Sequence, residues 1–302
     1  MAQARLIALD WGSTRLRAFL LGAGGEVLET RQSNDGAATL SGADAYAGAL
    51  SALVGDWRAD HPGVKLLACG MVGSQYGWRE AAYVRCPADA AALASQVLKL
   101  DESLSIIPGL VDDAAQPDVM RGEETQIVGA LALHPELADE ACLVLPGTHS
   151  KWARVSGGKV TGFATHMTGE LFALLRQHSV LARLMPADGS SPMSPEAFLK
   201  GVDAARKEGG LGHQLFAVRT LGLFRQLGAE QLPDYLSGLL IGHEIASELR
   251  AVTPERIALV GDPALCARYA QALAHLGHAA PLQLDNTAPA GLWQLAQTMN
   301  LT

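Results

Sequence analysis

A short run near the start of the chain combines an acid, small residues, hydroxyls and a cation. It spans Leu9–Arg15 with the sequence LDWGSTR, and Asp10 ends an apolar strand just before the turn. Such a turn can direct successive N–H groups and two hydroxyls at a phosphate, with Gly12 allowing close approach. Asp10 is suited to hold Mg²⁺ through water, because that ion keeps much of its hydration shell. An ordinary hairpin whose acid bonds its own turn explains the same residues.

A second turn in the middle of the chain has matching chemistry. Leu145–Trp152 has the sequence LPGTHSKW, so a glycine, hydroxyls and a cation again follow an apolar strand. Two hairpins with the same donors are harder to obtain by chance than one, and together they predict a site that grips a polyphosphate from both sides. His149 alone is more typical of a structural hydrogen-bonding residue than of a catalytic base.

Two adjacent carboxylates open a predicted helix within Met120–Gln126, sequence MRGEETQ. Glu123 or Glu124 could accept a proton from a substrate hydroxyl while that oxygen attacks a phosphoryl group. Arg121 could pair with a phosphate or a substrate carboxylate. Acids are also common in the first turn of a helix because the helix dipole favours them. The spacing alone therefore leaves both explanations open.

Three further segments offer groups for a small ligand. Ala68–Glu80 follows a predicted strand and carries three glycines, two small polar residues and two aromatics, which suit a polyhydroxylated molecule; a structured surface loop is the alternative. Leu259–Pro263 is a strand-to-helix turn in which Gly261 lets a base or ribose approach the backbone. Thr165–Glu170 precedes a helix and is either a helix cap or a loop that lines a cleft.

Other ligand signatures are missing from the sequence. There is no G-x-x-x-x-G-K-[ST] loop, and the glycines of Leu21–Gly25 lead into a strand, where a dinucleotide fingerprint requires a helix. His275 and His278 share one predicted helix face with no third ligand in view, so we predict no metal site there.

The predicted elements place these residues in two similar halves. Each half follows the order β-β-β-α-β-α-β-α, and the repeat lies in the pattern of elements, with no repeated sequence. The first half is predicted to have strands at Arg5–Leu9, Leu16–Leu21, Glu26–Gln32, Lys65–Cys69 and Leu104–Ile107, and helices at Asp44–Asp60, Asp89–Leu100 and Glu123–Leu133. We expect an α/β fold of two duplicated lobes, 1–138 and 139–302, around a cleft, with a mostly helical insertion at about 179–252. A cleft between lobes is a common place for a ligand.

Length, composition and charge exclude several classes of protein. The chain has 302 residues, of which 49% are hydrophobic and 18% charged, so intrinsic disorder is not expected. A net charge of −8 argues against binding to nucleic acid or an anionic membrane. No apolar run is long enough for a membrane helix, and the start of the chain does not have the pattern of a signal peptide. The four cysteines form no C-x-x-C pair, so we expect reduced thiols and a cytoplasmic protein. Separately, we expect a monomer or homodimer that binds a small molecule.

The two hairpins resemble the two phosphate motifs of the actin–hexokinase–heat-shock ATPase superfamily. Within it, Met120–Gln126, together with the Gly70–Trp78 loop and Met167–Glu170, is similar to the 2-dehydro-3-deoxygalactonokinase family. The resemblance covers essentially the whole chain. It implies an actin-like fold and ATP-dependent phosphorylation of 2-dehydro-3-deoxy-D-galactonate on its terminal hydroxyl, in galactonate breakdown.

The resemblance also implies roles for particular residues. Asp10 would hold Mg²⁺, the two turns would bind the phosphates, and Gly261 with its neighbours would flank adenosine. Many superfamily members carry an acid in the second phosphate motif, where this chain has Pro146. The base would then stand at the start of the last helix of the first lobe, at Glu123–Glu124, and we favour Glu124.

The expected site residues fall into three groups. Catalytic residues are Glu124, Glu123 and Asp10, with Asp10 also the metal ligand. ATP-binding residues are Gly12, Ser13, Thr14, Arg15, Gly147, Thr148, His149, Ser150, Lys151, Gly261 and Asp262. Substrate-binding residues are Gly70, Met71, Ser74, Gln75, Trp78, Arg121, Thr168 and Glu170. The cation that meets the carboxylate of the sugar acid is left open among Arg121, Arg15 and Lys151.

Three other functions are compatible with the same sequence. The chain could be a kinase of another sugar acid or a hexose, which an acceptor panel would reveal. It could be a phosphohydrolase of polyphosphate or nucleotides, which would release phosphate without an acceptor. It could also be a filament-forming or regulatory protein, although we find no added domain for that role and the acidic balance disfavours DNA.

Overall fold

In the computed structural model the chain forms a mixed α/β fold, described for residues 3–114, 116–186, 193–250 and 254–302. The described residues divide into two units. The first unit lies within 1–143, 153–164 and 284–302, and the second within 144–152 and 165–283.

Strands and helices alternate along the chain. The strands are β1 (Leu6–Trp11), β2 (Leu16–Leu21), β3 (Val27–Ser33), β4 (Lys65–Cys69), β5 (Tyr83–Arg85), β6 (Leu98–Lys99), β7 (Leu104–Ile106), β8 (Gly109–Asp112), β9 (Asp118–Met120), β10 (Glu140–Leu145), β11 (Ser150–Ser156), β12 (Lys159–His166), β13 (Ile257–Val260) and β14 (Leu282–Leu284). The helices are α1 (Ala43–Asp60), α2 (Ala90–Ser95), α3 (Glu123–Leu133), α4 (Thr168–His178), α5 (Pro195–Ala205), α6 (Leu211–Leu223), α7 (Leu232–Glu248), α8 (Pro263–His275) and α9 (Ala288–Thr298). Short 3₁₀ helices lie at Met71–Gly73, Pro135–Leu137, Val180–Leu184 and Ala229–Gln231.

Two larger sheets share one strand order. The six-stranded sheet has the order β3-β2-β1-β4-β7-β6, and the five-stranded sheet has the order β12-β11-β10-β13-β14. In both, the third, second and first strands of the half are followed by later strands, three in the six-stranded sheet and two in the five-stranded sheet. A small third sheet has the order β5-β8-β9. The duplication of whole lobes around a cleft stays a prediction.

The register of the six-stranded sheet places two strand ends side by side. β1 pairs with β2 in antiparallel fashion, which sets Asp10 opposite Arg17. β1 pairs with β4 in parallel, which sets Asp10 beside Cys69. The carboxyl ends of β1 and β4, where ligands tend to bind in such sheets, therefore lie next to each other.

Helix α1 packs one face on this sheet. Its buried side chains are Tyr46, Leu50, Val54 and Trp57, whose spacing of four, four and three residues follows the helical period. They join the apolar residues of β1, β2 and β4 in one core. Burial of each such side chain stabilises the fold by roughly 1.5–3 kcal/mol.

Helices α3 and α9 touch through two glycines. A Cβ on Gly129 would lie 2.0 Å from the carbonyl oxygen of Thr287, and a Cβ on Gly291 would lie 1.9 Å from that of Thr125. Any side chain at either position would push the helices apart. The contact therefore fixes α3, and with it the two acids in its first turn.

The second unit contains a block of helices. Helices α5 and α7 also meet at glycines, because a Cβ on Gly201 or Gly238 would lie about 2 Å from a carbonyl oxygen of the other helix (2.2 and 1.9 Å). Around them Leu181, Val218 and Leu236 form an apolar core. The prediction of a mostly helical segment at about 179–252 is confirmed, except that 187–192, 251 and 252 lie outside the described residues.

The element order of the second half matches the prediction, whereas the first half holds strands that were not predicted. These are β5, β6, β8 and β9. Each has only two to four residues, too few to display a hydrophobic period. The helix predicted at Asp89–Leu100 was too long, since α2 ends at Ser95 and β6 follows.

Two other expectations concern membrane-spanning helices and the cysteines. Within the described ranges, no helix is both long enough and apolar enough to cross a membrane. Cys69, Cys142 and Cys266 are buried, in agreement with their apolar sequence surroundings.

Candidate active site

Three backbone segments of the first unit meet at Gly70. This residue follows β4 and has φ +93°. A Cβ there would lie 2.7 Å from the carbonyl oxygen of Trp11, at the end of β1. On another side, a Cβ on Gly122 would lie 3.1 Å from the Gly70 Cα. The first hairpin, the Gly70 loop and the start of α3 are thus in direct backbone contact.

Asp10 stands at this meeting point. Its Oδ2 accepts a hydrogen bond from Arg17 Nη2 at 2.6 Å, and the side chain is 14% exposed. Burial raises the pKa of Asp10, and the charge of Arg17 opposes that shift. The thiol of Cys69 has a pKa well above its usual value, chiefly through burial and further through the charges of Asp10 and Glu124. Both carboxylates therefore lie within electrostatic reach of one thiol.

Backbone hydrogen bonds within the protein fix the tip of the first hairpin. Gly12 N–H donates to the Arg15 carbonyl at 3.0 Å, and its own carbonyl accepts from Ala37 N–H at 2.9 Å. The Gly12 amide, predicted to face a phosphate, is thus used in closing the turn. Ser13, Thr14 and Arg15 are exposed at the tip, where an anion can reach them.

Glu124 occupies the most distinctive environment of this region. It lies in the first turn of α3 after Gly122, whose φ of +108° favours glycine, and it is 1% exposed. Its carboxylate accepts hydrogen bonds from Gly122 N–H at 2.6 Å and from Thr125 Oγ1 at 2.9 Å. Burial, with the charge of Glu123 adding to it, raises the pKa of Glu124 to about 7. A carboxylate with that pKa can act as a base near neutral pH.

Glu123 differs from its neighbour. It is only partly buried, and its carboxylate accepts from Arg121 N–H at 3.1 Å. Two adjacent acids, equivalent in the sequence, are therefore distinguished by burial.

Arg121 is directed into the protein. It is 8% exposed, donates from Nη2 to the Ala81 carbonyl at 2.7 Å, and stacks over the ring of Tyr83 with Cζ 4.3 Å from the centroid. Its Nε and Nη1 are buried, with no hydrogen-bond partner among the described residues. This arrangement does not support the predicted contact of Arg121 with a phosphate or a carboxylate. The guanidinium instead ties the start of α3 to the end of the Gly70 loop.

The Gly70–Trp78 loop is partly built into the core. Trp78 stacks on Tyr46 at 5.7 Å and meets Trp11 edge-on at 5.9 Å. Ser74 is buried, Met71 is half-buried and Gln75 is exposed. Among the predicted substrate residues of this loop, Gln75 therefore offers its side chain to solvent, whereas Trp78 mainly packs.

The second turn packs against the start of α4 in the second unit. A Cβ on Gly169 would lie 2.4 Å from the Gly147 carbonyl oxygen, and Glu170 N–H donates to the Thr148 carbonyl at 3.0 Å. His149 Nε2 and Glu170 Oε2 are 2.5 Å apart. The sequence-predicted residues Thr148, His149, Gly169 and Glu170 are thus brought together here.

Two residues predicted to bind ATP through this turn are buried. Ser150 is fully buried and its hydroxyl donates to Glu244 at 2.6 Å. Lys151 is 4% exposed, and its Nζ donates to the His149 carbonyl at 3.2 Å. The predicted side-chain contacts of Ser150 and Lys151 with a phosphate are therefore not supported, because both side chains are buried, on opposite faces of β11.

A cavity of about 290 Å³ lies beside this turn, within the second unit. Gly147 and the first turn of α4 form one side. The remaining wall is mostly apolar, from α4, α7 and α8, with an ion pair in which Arg268 Nη2 lies 2.9 Å from Asp234 Oδ1. The lining includes Thr168, Gly169, Phe172, Arg176, Asp234, Ser237, Leu240, Ile241, Leu265, Arg268 and Tyr269. Its volume is close to the lower limit for small-molecule pockets.

The predicted turn after β13 lies near the same place. Gly261 has φ +134°, and a Cβ there would lie 3.8 Å from the Pro146 carbonyl oxygen. Asp262 caps α8, its Oδ1 accepting from Leu265 N–H at 2.9 Å. The Asp262 carboxylate is thus used by the helix, while α8 itself supplies Leu265 and Arg268 to the cavity wall.

Most cavity residues escaped the sequence analysis. They come from α4, α7 and α8, which are far apart in the chain, and their apolar members look like any other core residue. One signal was available. Asp234 and Ser237 are polar cavity residues that lie three positions apart on α7, which places them on one face of the helix.

Comparisons relate the chain to known proteins. A family model described as 2-keto-3-deoxy-galactonokinase matches residues 10–295. The 2-dehydro-3-deoxygalactonokinase of Escherichia coli (strain K12) is 40% identical over 290 residues, which cover 95% of this chain and 94% of that protein.

Solved structures resemble this protein as well. A crystal structure from Sinorhizobium meliloti, of a protein assigned as a 2-dehydro-3-deoxygalactonokinase, has a TM-score of 0.86 at 33% identity and covers 97% of this chain and 99% of its own. The activator of the 2-hydroxyisocaproyl-CoA dehydratase from Clostridium difficile, with bound ADPNP, has a TM-score of 0.51 at 12% identity, with coverage of 99% and 96%. At that identity the likeness concerns the fold alone.

Proposed function

The chain belongs to the 2-keto-3-deoxy-galactonokinase family and is a sugar-acid kinase, and we propose that it phosphorylates 2-dehydro-3-deoxy-D-galactonate on the terminal 6-hydroxyl, with ATP as donor. The O6 oxygen attacks the γ-phosphorus, the bond from that phosphorus to the β–γ bridging oxygen breaks, and ADP leaves. The proton of the hydroxyl passes to a base. The chain must supply that base and the groups that bind two anionic substrates.

Glu124 is the proposed base, and its environment carries the proposal. A pKa of about 7 means that the carboxylate is ionised in much of the enzyme at neutral pH and still basic enough to take a proton in the transition state. The Gly122 N–H and the Thr125 hydroxyl orient it. Its position at the junction of three backbone segments of the first unit supports a sugar-acid site there, next to the Gly70 loop.

The proposed nucleotide site lies in the second unit. The 290 Å³ cavity has apolar walls for an adenine ring and polar groups at Asp234 and Arg268. It reaches Gly147, so a nucleoside held there would direct its phosphates to the turn at Gly147 and Thr148, in which Gly147 is half-buried and Thr148 is exposed. The first hairpin, with Ser13 and Thr14 exposed, is the second proposed phosphate contact.

Asp10 is the proposed Mg²⁺ ligand. Kinases usually hold Mg²⁺ with one or two carboxylates, water and the nucleotide phosphates, so a single acid fits the ion. Among the described residues no group of three or more His, Cys, Asp or Glu could form a protein cage. When bound, Mg²⁺ supplies charge neutralisation on the phosphates. Asp10→Asn should raise the Mg²⁺ concentration for half-maximal turnover by about tenfold or more, and an unchanged requirement would remove the assignment.

Arg15 is the proposed partner of the substrate carboxylate. Of the three cations considered for this role, Arg121 and Lys151 are buried and Arg15 is exposed at the tip of the first hairpin. The guanidinium can bind a carboxylate in a bidentate manner. Gln75 is the proposed hydrogen-bonding group of the neighbouring loop.

Paired substitutions of the two acids test the proposed base. Glu124→Gln should lower kcat by about 10²–10⁴-fold while the Kd for ATP stays within about twofold, because the amide cannot accept the proton. Glu123→Gln, the matched control one residue away, should keep kcat within about threefold. In the wild type, kcat/KM for the sugar acid should rise with pH and level off above an inflection near the pKa of about 7.

The proposal for Glu124 fails if the effects are reversed. Full turnover in Glu124→Gln together with a loss in Glu123→Gln would move the base to the neighbouring residue. If the wild-type pH profile had no inflection near neutral pH and Glu124→Gln were fully active, the base would have to lie outside α3.

A further inference from the structure

A buried carboxylate on α7 binds four side chains in the second unit. Glu244 is 2% exposed. Its Oε1 accepts from Ser150 Oγ and from Trp152 Nε1, each at 2.6 Å. Its Oε2 accepts from Tyr269 Oη at 2.7 Å and from Thr168 Oγ1. A carboxylate offers about four acceptor sites, so these four neutral donors use its capacity in full.

The burial of this charge needs a reason. An isolated carboxylate in the interior is strongly unfavourable, and hydrogen bonds to the charged form are what make it tolerable. The charge of Glu244 is also a cause of the raised pKa of Tyr269, after burial itself. A leucine would fill the same volume without a desolvation penalty. The carboxylate therefore has a role in joining elements, since it is the common acceptor for donors from three separate segments, β11, α4 and α8.

Each donor belongs to a segment of the proposed nucleotide site. Ser150 directly follows the phosphate turn, and Trp152 continues the same strand. Thr168 is the first residue of α4 and lines the cavity, and Tyr269 lines it from α8. The close packing of Gly169 on the Gly147 carbonyl requires the turn and α4 to stay in register.

We propose that Glu244 is a positioning residue for the nucleotide, fixing the phosphate turn, the start of α4 and the wall of the cavity before ATP binds. The inference rests on the proposed nucleotide site. Glu244 does not touch ATP in this account and takes no part in proton transfer. Its loss should weaken ATP binding and leave the sugar-acid site, which lies in the first unit, unaffected.

Two substitutions of Glu244 separate this role from general support of the fold. Glu244→Ala leaves four donors without an acceptor and should raise the Kd for ATP by about tenfold or more. Glu244→Gln keeps one oxygen for Ser150 and Trp152, and the hydroxyls of Thr168 and Tyr269 can turn to accept from the amide, so its effect should be smaller. KM for the sugar acid should stay within about twofold in both. Glu248→Gln, one turn later on α7 and paired with His166 at 2.8 Å, is the matched control and should not change either constant.

Hydrogen exchange supplies a readout that does not need ATP. In Glu244→Gln the amides of residues 146–152 and 168–172 should exchange faster, while those of α5 keep their protection. This measurement keeps the proposal testable if Glu244→Ala fails to fold.

The possible outcomes separate the inference from the site on which it rests. Leu265→Trp, which should fill the cavity, tests the site itself. If it abolishes ATP binding while both Glu244 variants bind ATP normally, the positioning role is wrong and the site stands. If Leu265→Trp leaves ATP binding intact, the nucleotide site is elsewhere and both proposals fall. Equal losses for ATP and sugar acid in Glu244→Gln would also contradict the positioning role.

Discussion

Glu123 and Glu124 are adjacent, have the same side chain and share one helix turn, yet their environments differ. Glu124 is buried and bonded to its own helix start, and Glu123 is partly open to water. Burial penalises the charged form of Glu124, which raises its pKa towards neutrality. The property that makes it the proposed base is therefore also a source of instability.

This instability predicts a pH-dependent effect of Glu124→Gln on folding. The pKa of Glu124 is about 7 in the folded protein, whereas the ordinary value of a glutamate, which applies to the unfolded chain, is 4.5. Between these values the folded protein holds the proton and the unfolded chain releases it, so the free energy of unfolding falls as pH rises through this window. The glutamine of the variant does not titrate. The free energy of unfolding of Glu124→Gln, relative to that of the wild type, should therefore be about 2–3 kcal/mol higher at pH 8 than at pH 5.

Urea unfolding of both proteins at the two pH values measures this difference. Glu123→Gln serves as control, and its stability relative to the wild type should change less with pH than that of Glu124→Gln, because it removes only the contribution of the Glu123 charge to the raised pKa of Glu124. If the free energy of unfolding of Glu124→Gln differed from that of the wild type by the same amount at pH 5 and pH 8, Glu124 would titrate normally in the fold.

Sequence analysis named the segments of the proposed site but did not predict the direction of several side chains. The pair of acids and the turn at Gly147 remain proposed site residues. The sequence also predicted contacts with anions for Arg121, Ser150 and Lys151, which the structure buries. The carbonyl that accepts from Arg121 is that of Ala81, 40 residues away, and no local pattern announces such a partner.

At the scale of elements, glycine contacts position the acids. Gly129 and Gly291 let α3 and α9 touch, and Gly122 lets the start of α3 approach Gly70. Since Thr125 is the residue whose carbonyl meets Gly291, movement of α9 would be transmitted to the turn that contains Glu124.

Substitution of helix glycines by alanine should therefore have opposite effects at different sites. Gly291→Ala places a Cβ 1.9 Å from a carbonyl oxygen and should destabilise the protein by about 2–3 kcal/mol or more, with reduced kcat. Gly48→Ala, in the middle of α1 with no atom within 4 Å of the added Cβ, should stabilise it by about 0.5–1 kcal/mol.

Thermal unfolding with activity assays checks this pair. Both sites are helix glycines, so intrinsic propensity favours alanine at each and only the contact differs. If Gly291→Ala were as stable and as active as Gly48→Ala, the close packing of α3 on α9 would not be a feature of the protein.

Most elements that sequence reasoning recovered have a long hydrophobic period, although the three-residue strand β7 was also predicted. The apolar strands β1, β2 and β4 and the helices α1 and α3 were located to within a few residues. The short strands β5, β8 and β9 were not, because three or four residues pair only through tertiary context. Arg121 directly follows β9, and its acceptor Ala81 lies two residues before β5, so the omission of these strands also hid the inward course of the Arg121 side chain.

At the scale of the whole molecule, an acidic chain must bind two anions. The net charge of −8 gives no general attraction for ATP or a sugar acid. Binding must come from local groups, and the structure offers exposed turns with hydroxyls, the exposed Arg15 and a pocket with an ion pair. The repeated order of elements in the sequence came closest to predicting one feature of the whole chain. That feature is the similar strand order of the two larger sheets.

The identity of the phosphorylated product tests the central proposal most directly. The purified protein would be incubated with ATP, Mg²⁺ and an equimolar mixture of sugar acids and hexoses, and the products resolved by mass spectrometry and phosphorus NMR. We predict that 2-dehydro-3-deoxy-D-galactonate gains one phosphate on O6, with one ADP formed for each product molecule. Phosphorylation of a different acceptor in its place, or release of phosphate from ATP at the same rate without any acceptor, would contradict the proposal.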